Sequence, residues 1–305
     1  MAKNSRSFRK PEAQARHAVR QHISLGSPRH ENRGDGKIHS VGTARNYTGA
    51  LAGFTRWIQK HNLGDLRAAT KEMATKYLAE RSSQVGQSQL DQDRKAIQTH
   101  IQEKIMTVKS EIQTTRDDRA VTPDQHREIT SRMSEKEAFA ADICREAGLR
   151  AHEIHSIRKY DERPADQRSG HRSWNDERWK GKEGWERYTA AGKGGLCREF
   201  RLSPETAARL EERRLLDPQR VTDRGVNYDR AYDLPGGNAL SAAFTRASTD
   251  ALGESRGLHG ERHAFARAEF ERHQRNGATW EDALRWTSQE LGHFRPDITR
   301  RYLNL

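Results

Sequence analysis

Apolar side chains in this sequence recur at intervals of three and four residues, and they rarely form continuous runs. In the segment that begins near Thr43, the residues Leu51, Phe54 and Ile58 follow this spacing. Side chains three and four residues apart lie on one face of an α-helix, so the pattern predicts an amphipathic helix. A single apolar face must pack against another element to be buried. The sequence therefore predicts a chain built mainly from helices that pack on one another.

The composition indicates two domains and a polyanionic partner. A chain of 305 residues exceeds the usual size of a single hydrophobic core. Lys and Arg number 55 against 43 Asp and Glu, which gives a formal net charge of +12 at pH 7. Basic surfaces also occur for solubility, but this excess places nucleic acid first among the candidate partners.

Several classes of protein are disfavoured by what the sequence lacks. No apolar run is long enough to cross a bilayer and no apolar signal core follows Met1, which predicts a cytoplasmic protein. Cys144 and Cys197 lie far apart and form no CxxC pair. We therefore expect reduced thiols, and neither a disulfide framework nor a zinc ribbon. The lack of a fixed-period repeat argues against a solenoid.

Changes in composition along the chain predict three segments. Residues 1–38 are rich in Lys and Arg and end in Gly34-Asp35-Gly36, which predicts a flexible basic arm. Residues 39–118 contain three helical patterns and are expected to form a small helical bundle. A charged stretch then leads to Thr122-Pro123, a helix-start signal, so we expect a second domain over residues 119–305.

The second domain is predicted to be mainly helical with one β-hairpin. Alternating residues on either side of Gly192-Lys193-Gly194-Gly195 predict the hairpin, within residues 185–202. The stretches 159–182 and 217–237 have no clear period and are interpreted as additional loops that contact DNA or protein. Helical signals follow Ser134, Arg150, Ser203, Ala239, Arg262 and Trp280.

Four short segments of this domain carry chemically useful residues, and each has an ordinary structural explanation when it is taken alone. Arg150 follows a helix-ending glycine and could be a solvated surface charge. His259 and His263 lie four residues apart, but Glu261 stands one place too late for the zinc-protease pattern. A lone Tyr302 on a short helix would normally be a packing residue.

Taken together, the order and spacing of these segments resemble those of the tyrosine recombinases, also called the phage integrase family. That family has a GLRxxE box, a GKG hairpin, an HxxRH box, and an LGH box that precedes the nucleophilic tyrosine by nine residues. The matching segments here are Gly148–Glu153, Gly192-Lys193-Gly194, His259–His263, and Leu291-Gly292-His293 followed by Tyr302. The resemblance implies a mainly α, two-domain fold. An N-terminal helical core-binding bundle would hold DNA as a clamp with a mostly helical α+β catalytic domain, which contains a small β-hairpin or sheet.

The same resemblance implies a role for each matching residue. Arg150 and Arg262 would grip the scissile phosphate, for which a guanidinium fork is well suited. Lys193 would act as the general acid that protonates the departing 5′ oxygen. Tyr302 would attack phosphorus and form a 3′-phosphotyrosyl bond.

The other residues that match the family motifs would support these catalytic residues. His259 and His293 would complete the phosphate cradle or handle the tyrosine proton. Glu153 would brace the first box, and His263 is interpreted with equal weight as a buried structural histidine or a direct participant. The motifs contain no group of carboxylates that could bind two metal ions, so we expect no metal and no other cofactor.

The function implied by the resemblance is site-specific recombination of double-stranded DNA, for integration or excision of a mobile element. Four protomers would act on two synapsed sites through a Holliday junction, with possible accessory DNA-bending or directionality factors, in the nucleoid and away from membranes. Two alternatives stay open. One is a type IB topoisomerase, and the other is a non-catalytic DNA-binding regulator on an integrase scaffold.

Overall fold

The computed structural model describes residues 10–24, 35–113, 118–192 and 195–304. The chain divides into two compact units, Met1–Arg116 and Asp117–Leu305. Most of the regular structure is helical, so the predicted mainly α, two-domain fold is confirmed. Within the described ranges, no helix is long and apolar enough to cross a membrane.

The first unit is a small helical bundle. Its α-helices are α1 (Pro11–Arg20), α2 (Val41–Lys60), α3 (Lys71–Arg81) and α4 (Gln87–Ile101). The predicted stripe of α2 is buried in the core of the bundle, where Phe54 and Ile58 have no exposed surface. Ser40 begins this helix, since its hydroxyl accepts a hydrogen bond from the backbone N–H of Thr43 at 3.1 Å. The sequence pattern predicts the third helix through Ile105, whereas α4 ends at Ile101 and Ile105 lies in the loop that follows.

Helix α1 differs from the flexible arm predicted over residues 1–38. Ala15, Ala18 and Val19 of this helix are buried in the same core as α2. The prediction is therefore wrong for residues 11–20. Because two of these three apolar side chains are alanines, the stripe is short and gives a weak signal among many charged neighbours.

Two pieces of the predicted arm, residues 1–9 and 25–34, lie outside the described residues. Between the second piece and α2, Ile38 forms an isolated parallel bridge with Ile23 and is buried in the core of the bundle. The described parts of the predicted arm thus contribute to the first unit.

The second unit combines helices with two small antiparallel sheets. Its α-helices are α5 (Pro123–Thr130), α6 (Glu135–Ala147), α7 (Pro204–Glu211), α8 (Gly237–Leu252), α9 (His259–Arg275), α10 (Trp280–Glu290) and α11 (Pro296–Leu303). Its strands are β1 (Arg158–Lys159), β2 (Glu186–Ala191), β3 (Cys197–Leu202), β4 (Arg214–Asp223) and β5 (Val226–Tyr232). The first sheet has the order β1-β2-β3, and the second pairs β4 with β5.

Strands β2 and β3 form the predicted hairpin, with Ala191 paired to Cys197 at the turn.

The prediction of a loop over residues 217–237 is wrong for most of that range, because β4 and β5 form a second hairpin there. Pro218 lies within β4, and the register shifts between Arg214 and Gln219. Such an irregularity interrupts the alternation from which a strand is recognised.

The stretch 159–182, interpreted from the sequence as an additional loop, packs against its own unit. Arg178, Trp179 and Lys182 are buried. The backbone N–H of Asn175 donates to the Gln289 side chain of α10 at 2.9 Å. Part of this segment therefore belongs to the structural core of the second unit.

We expect Val19→Asp to destabilise the first unit by about 2–4 kcal/mol, because it places a carboxylate in an apolar core. Hydrogen exchange of peptides from α2 should become faster in this variant. The matched control is Arg20→Gln at the neighbouring exposed position, which should leave the exchange nearly unchanged. Equal exchange in the two variants would indicate that α1 is not part of the folded bundle.

Candidate active site

The first motif lies where α6 ends. Gly148 ends the helix in the left-handed conformation, and Arg150 then begins a 3-10 helix, Ala151–Ser156. The backbone N–H of Arg150 donates to Oε2 of Glu153 at 3.0 Å, and its guanidinium donates to Oε1 at 2.6 Å. Glu153 is buried, whereas the side chain of Arg150 is 27% exposed. A buried carboxylate therefore orients a cation that reaches the surface.

Glu153 keeps its negative charge although it is buried. Burial alone would raise the pKa of Glu153, but three nearby positive charges hold it at about 2. These charges belong to Arg198, Arg150 and Arg262. A carboxyl group with this pKa is ionised at neutral pH, so Glu153 acts as a hydrogen-bond acceptor for its neighbours and not as a proton donor.

The second motif lies in the turn between β2 and β3. Lys193, the predicted general acid, lies outside the described residues, as does Gly194. Gly192, which precedes them, packs against the first motif, because a Cβ atom at this position would lie 3.2 Å from Oε1 of Glu153. The described chain therefore reaches the connection between β2 and β3, to which Lys193 belongs in sequence, beside the carboxylate that orients Arg150.

The third motif forms the first turn of α9, and Arg262 is its fourth residue. This side chain is 0% exposed, and its guanidinium donates to the backbone oxygens of Gly148 and Leu291. Its Nε atom donates to the hydroxyl of Tyr302 at 3.4 Å. Burial and the charge of Arg150 lower the pKa of Arg262 to about 10, so the group is still charged at neutral pH. The first, third and fourth motifs meet at this guanidinium.

The carboxylate that precedes Arg262 fixes this turn to the rest of the unit. Glu261 is buried and contacts Nδ1 of His126 at 3.0 Å and the guanidinium of Arg145 at 2.5 Å. His126 also contacts Asp142 at 2.9 Å. Glu261 thus ties the start of α9 to α5 and α6, which is a structural role and not that of a zinc-protease base.

The fourth motif places Tyr302 on α11 among three histidines. Tyr302 is 8% exposed. Its ring centroid lies 4.6 Å from that of His263, 5.5 Å from that of His259 and 5.9 Å from that of His293. Nδ1 of His263 also lies 3.2 Å from the backbone oxygen of Tyr302.

Two of these histidines are neutral at physiological pH. Burial and then the charges of His263 and Arg262 lower the pKa of His259 to about 4. Burial and then the charges of Arg262 and Arg150 lower the pKa of His293 to about 3. Within the described part of the chain, Nε2 of His293 is buried without a hydrogen-bond partner. In this neutral form both imidazoles are able to accept a hydrogen bond, whereas the low pKa values disfavour a further positive charge in the free site.

Arg198 belongs to this site, although no motif predicted it. It lies on β3, is 1% exposed, and donates to Oε2 of Glu153 at 3.3 Å. It also donates to the backbone oxygens of Gly148 at 3.1 Å and Glu290 at 2.6 Å. In a short strand of alternating residues, the sequence does not show whether the side chain of an arginine points into the core or towards solvent.

A separate buried cluster on α9 and α10 has the residue types of a metal site. Ligand atoms of Glu269, His273 and Glu290 lie within 4.8 Å of one another. The ammonium group of Lys182 already lies 2.8 Å from Glu269 and 3.6 Å from Glu290. Arg272 also lies 2.5 Å from Glu269 and 3.2 Å from Glu290. Because these two cations supply the charge that the two carboxylates need, a divalent ion could bind only if they left the cluster.

The contacts of His126 predict a pH-dependent stability of the second unit. Burial alone would lower the pKa of His126, but its hydrogen bonds to Asp142 and Glu261 raise it from 6.5 to about 9. A group with a raised folded pKa stabilises fully below the unfolded pKa, and this contribution is lost as the pH rises through the folded value. We therefore expect the free energy of unfolding to fall by roughly 2 kcal/mol between pH 6.5 and 10 on account of this group.

Urea unfolding can measure this effect through tryptophan fluorescence, because five of the six tryptophans (all except Trp57) lie in the second unit. The His126→Gln variant should have a smaller decrease over the same pH range. An equal decrease in the two proteins would contradict a raised pKa for His126.

Comparison with protein-family models and with curated proteins gives no match. Among solved structures, the chain is similar to the XerH site-specific recombinase in a post-cleavage complex with palindromic difH substrate. That match has a TM-score of 0.59 and 14% sequence identity, and covers 97% of this chain and 91% of the other. XerH in a pre-cleavage complex with difH matches with a TM-score of 0.55 and 14% identity, over 97% and 90% of the two chains. The chain therefore has the tyrosine recombinase fold that its motifs predicted.

Proposed function

We propose that this chain is a site-specific recombinase that cleaves and rejoins double-stranded DNA through a covalent bond between Tyr302 and a 3′ phosphate. The observation that carries the proposal is the hydrogen bond at 3.4 Å between the Tyr302 hydroxyl and Nε of the buried Arg262. A phenol held by a desolvated cation, with neutral imidazoles beside it, has the parts that a nucleophilic tyrosine needs.

Arg150 and Arg262 would bind the scissile phosphate. A guanidinium has five N–H donors. Arg262 directs one to Tyr302 and two to backbone oxygens, which leaves two for the non-bridging oxygens of a phosphodiester. Arg150 is partly exposed and already oriented by Glu153. Fixed charges of this kind stabilise the negative charge that develops on the phosphate oxygens in the transition state.

The proposed cleavage step exchanges one P–O bond for another. The Tyr302 oxygen attacks phosphorus, and its proton passes to His259 or His293, whose basicity would rise once the negative phosphodiester offsets the charges of Arg150 and Arg262. The bond from phosphorus to the 5′ oxygen breaks, and that oxygen takes a proton from Lys193. The phosphotyrosyl bond conserves the energy of the broken diester, so rejoining to another strand requires no nucleotide and no other cofactor.

The partner that we propose is double-stranded DNA. XerH is bound to its difH substrate in both matched structures, and the net charge of +12 fits a polyanion. The first unit, as the core-binding bundle, would hold the DNA together with the catalytic unit. Four protomers on two sites, and integration or excision of a mobile element, complete the proposal.

We expect Tyr302→Phe to abolish covalent capture of DNA and to leave DNA binding within about threefold of the wild type, because phosphate contacts supply most of the affinity. Duplexes are first selected from a randomised library by binding. They are then nicked at varied positions, incubated with protein in EDTA, and analysed in denaturant for a protein–DNA adduct. The nick lets the short cleaved strand diffuse away, so that the adduct accumulates.

The wild-type protein distinguishes the alternatives in the same assay. Adducts that are lost in Tyr302→Phe support the proposed chemistry, whereas no adduct on any tightly bound duplex would favour a non-catalytic regulator. Relaxation of a supercoiled plasmid that lacks the selected sequence would favour a type IB topoisomerase instead.

The role of Lys193 gives a second prediction. We expect Lys193→Ala to slow adduct formation by about 100-fold or more on ordinary DNA, because the 5′ oxygen needs a proton as it leaves. A 5′ sulfur in place of that oxygen is a good leaving group without protonation, so the deficit should shrink to less than about tenfold. Wild-type protein on both substrates is the control, and an equal deficit on both would contradict the role of general acid.

A further inference from the structure

Helices α6 and α10 end close to each other, and the catalytic motifs follow directly from these ends. Ala147 is the last residue of α6, three residues before Arg150. Glu290 is the last residue of α10, and His293 follows after a short turn. The last carbonyl groups of a helix have no partner within it and carry a partial negative charge. The carbonyl groups at both helix ends therefore need hydrogen-bond donors, preferably positively charged ones.

Two buried guanidinium groups provide these donors. Arg262 donates to Gly148 and Leu291, and Arg198 donates to the neighbouring oxygens. The backbone acceptors of Arg198 are Glu290 at 2.6 Å, Gly148 at 3.1 Å and Ala147 at 3.3 Å. The carbonyl of Gly148 is thus shared by both arginines. Arg198 and Arg262 form two crosslinks between the same helix ends, and only Arg262 also contacts Tyr302.

Arg198 also contacts the first motif through a side chain. Its guanidinium donates to Oε2 of Glu153 at 3.3 Å, on the carboxylate whose other oxygen accepts from Arg150 at 2.6 Å. Glu153 therefore lies between two arginines, one fully buried and one partly exposed. The position of Arg150 depends on where Arg198 holds this carboxylate.

The fourth motif packs against the same side chain. Gly292 has a φ of +71°, and a Cβ atom at this position would lie 2.6 Å from Cδ of Arg198. The glycine of the LGH box is therefore required both by its backbone conformation and by the close approach of Arg198. Gly292 precedes His293, so the aliphatic part of Arg198 also limits where that imidazole lies.

We infer that Arg198 is a positioning residue of the proposed strand cleavage: it holds Glu153, the end of α6 and the end of α10 in one arrangement, and so sets Arg150 and His293 relative to each other. The inference rests on the proposed function. It assigns Arg198 no contact with DNA. Loss of its guanidinium should therefore slow the chemical step and leave DNA binding nearly unchanged.

The test compares Arg198→Met with Arg201→Met, in single-turnover adduct formation on the selected nicked duplex. Arg201 lies on the same strand and is partly buried, with 19% of its side chain exposed, but its hydrogen bonds go to Glu199 and the backbone of Lys182. At saturating DNA, we expect Arg198→Met to slow adduct formation by about 100-fold with an apparent Kd within about threefold of the wild type. Arg201→Met should be slowed by less than about threefold, after correction for the folded fraction.

A second substrate separates positioning from a general loss of structure. Replacing one non-bridging oxygen of the scissile phosphate by a methyl group removes its negative charge, so the reaction depends less on a correctly placed Arg150. We expect the deficit of Arg198→Met to shrink to less than about tenfold on this substrate. A variant that is merely less folded would have the same deficit on both substrates.

If Arg198→Met does not fold, Arg198→Lys keeps the charge but cannot bind all four acceptors, and the same substrate-dependent deficit is expected of it. If the wild type reacts and the variant at position 198 reacts as fast as Arg201→Met, or has an equal deficit on both substrates, the inference is overturned and the proposed function is not. If the wild type forms no Tyr302-dependent adduct on a duplex that it binds, both are overturned.

Discussion

The candidate site depends on two cations that are removed from water between the ends of α6 and α10. Burying a guanidinium costs several kcal/mol unless its donors are satisfied, and helix carbonyls together with Glu153 provide acceptors for Arg198 and Arg262. Each arginine in turn satisfies carbonyls that the helices leave without a partner. The helix ends and the two arginines therefore stabilise each other, because neither would be stable in this position without the other.

This constraint also determines the electrostatics of the site. With Arg150, Arg198 and Arg262 close together and Glu153 to balance them, the site carries excess positive charge. That excess, added to burial, keeps His259 and His293 neutral. A phosphodiester would supply the missing negative charge, so the repulsion among the cations in the free protein favours the binding of such a group. The low pKa values and the proposed affinity for phosphate then have the same origin.

The sequence predicted those parts of the molecule that depend on local periodicity or on the spacing within a motif. Helix α2 could be predicted because large apolar residues mark its buried face, and the motifs predicted that Arg262 and Tyr302 would lie in one site. Arg198 could not be predicted, since its partners come from α6, α10 and a 3-10 helix that are distant in the sequence. Helix α1 and the β4–β5 hairpin were missed because alanines and a proline weaken the patterns by which such elements are recognised.

The position of Tyr302 has a consequence for what the free protein can bind. Its ring lies over the guanidinium of Arg262, with 5.8 Å between the ring centroid and Cζ, and that arginine has no exposed surface. A dissolved phosphate or sulfate ion cannot touch Arg262 in this arrangement. The proposed nucleophile is therefore also one of the side chains that cover this cation. A ligand that reaches Arg262 must therefore shift side chains that cover it, and the many contacts of a long DNA duplex would supply free energy for such a shift.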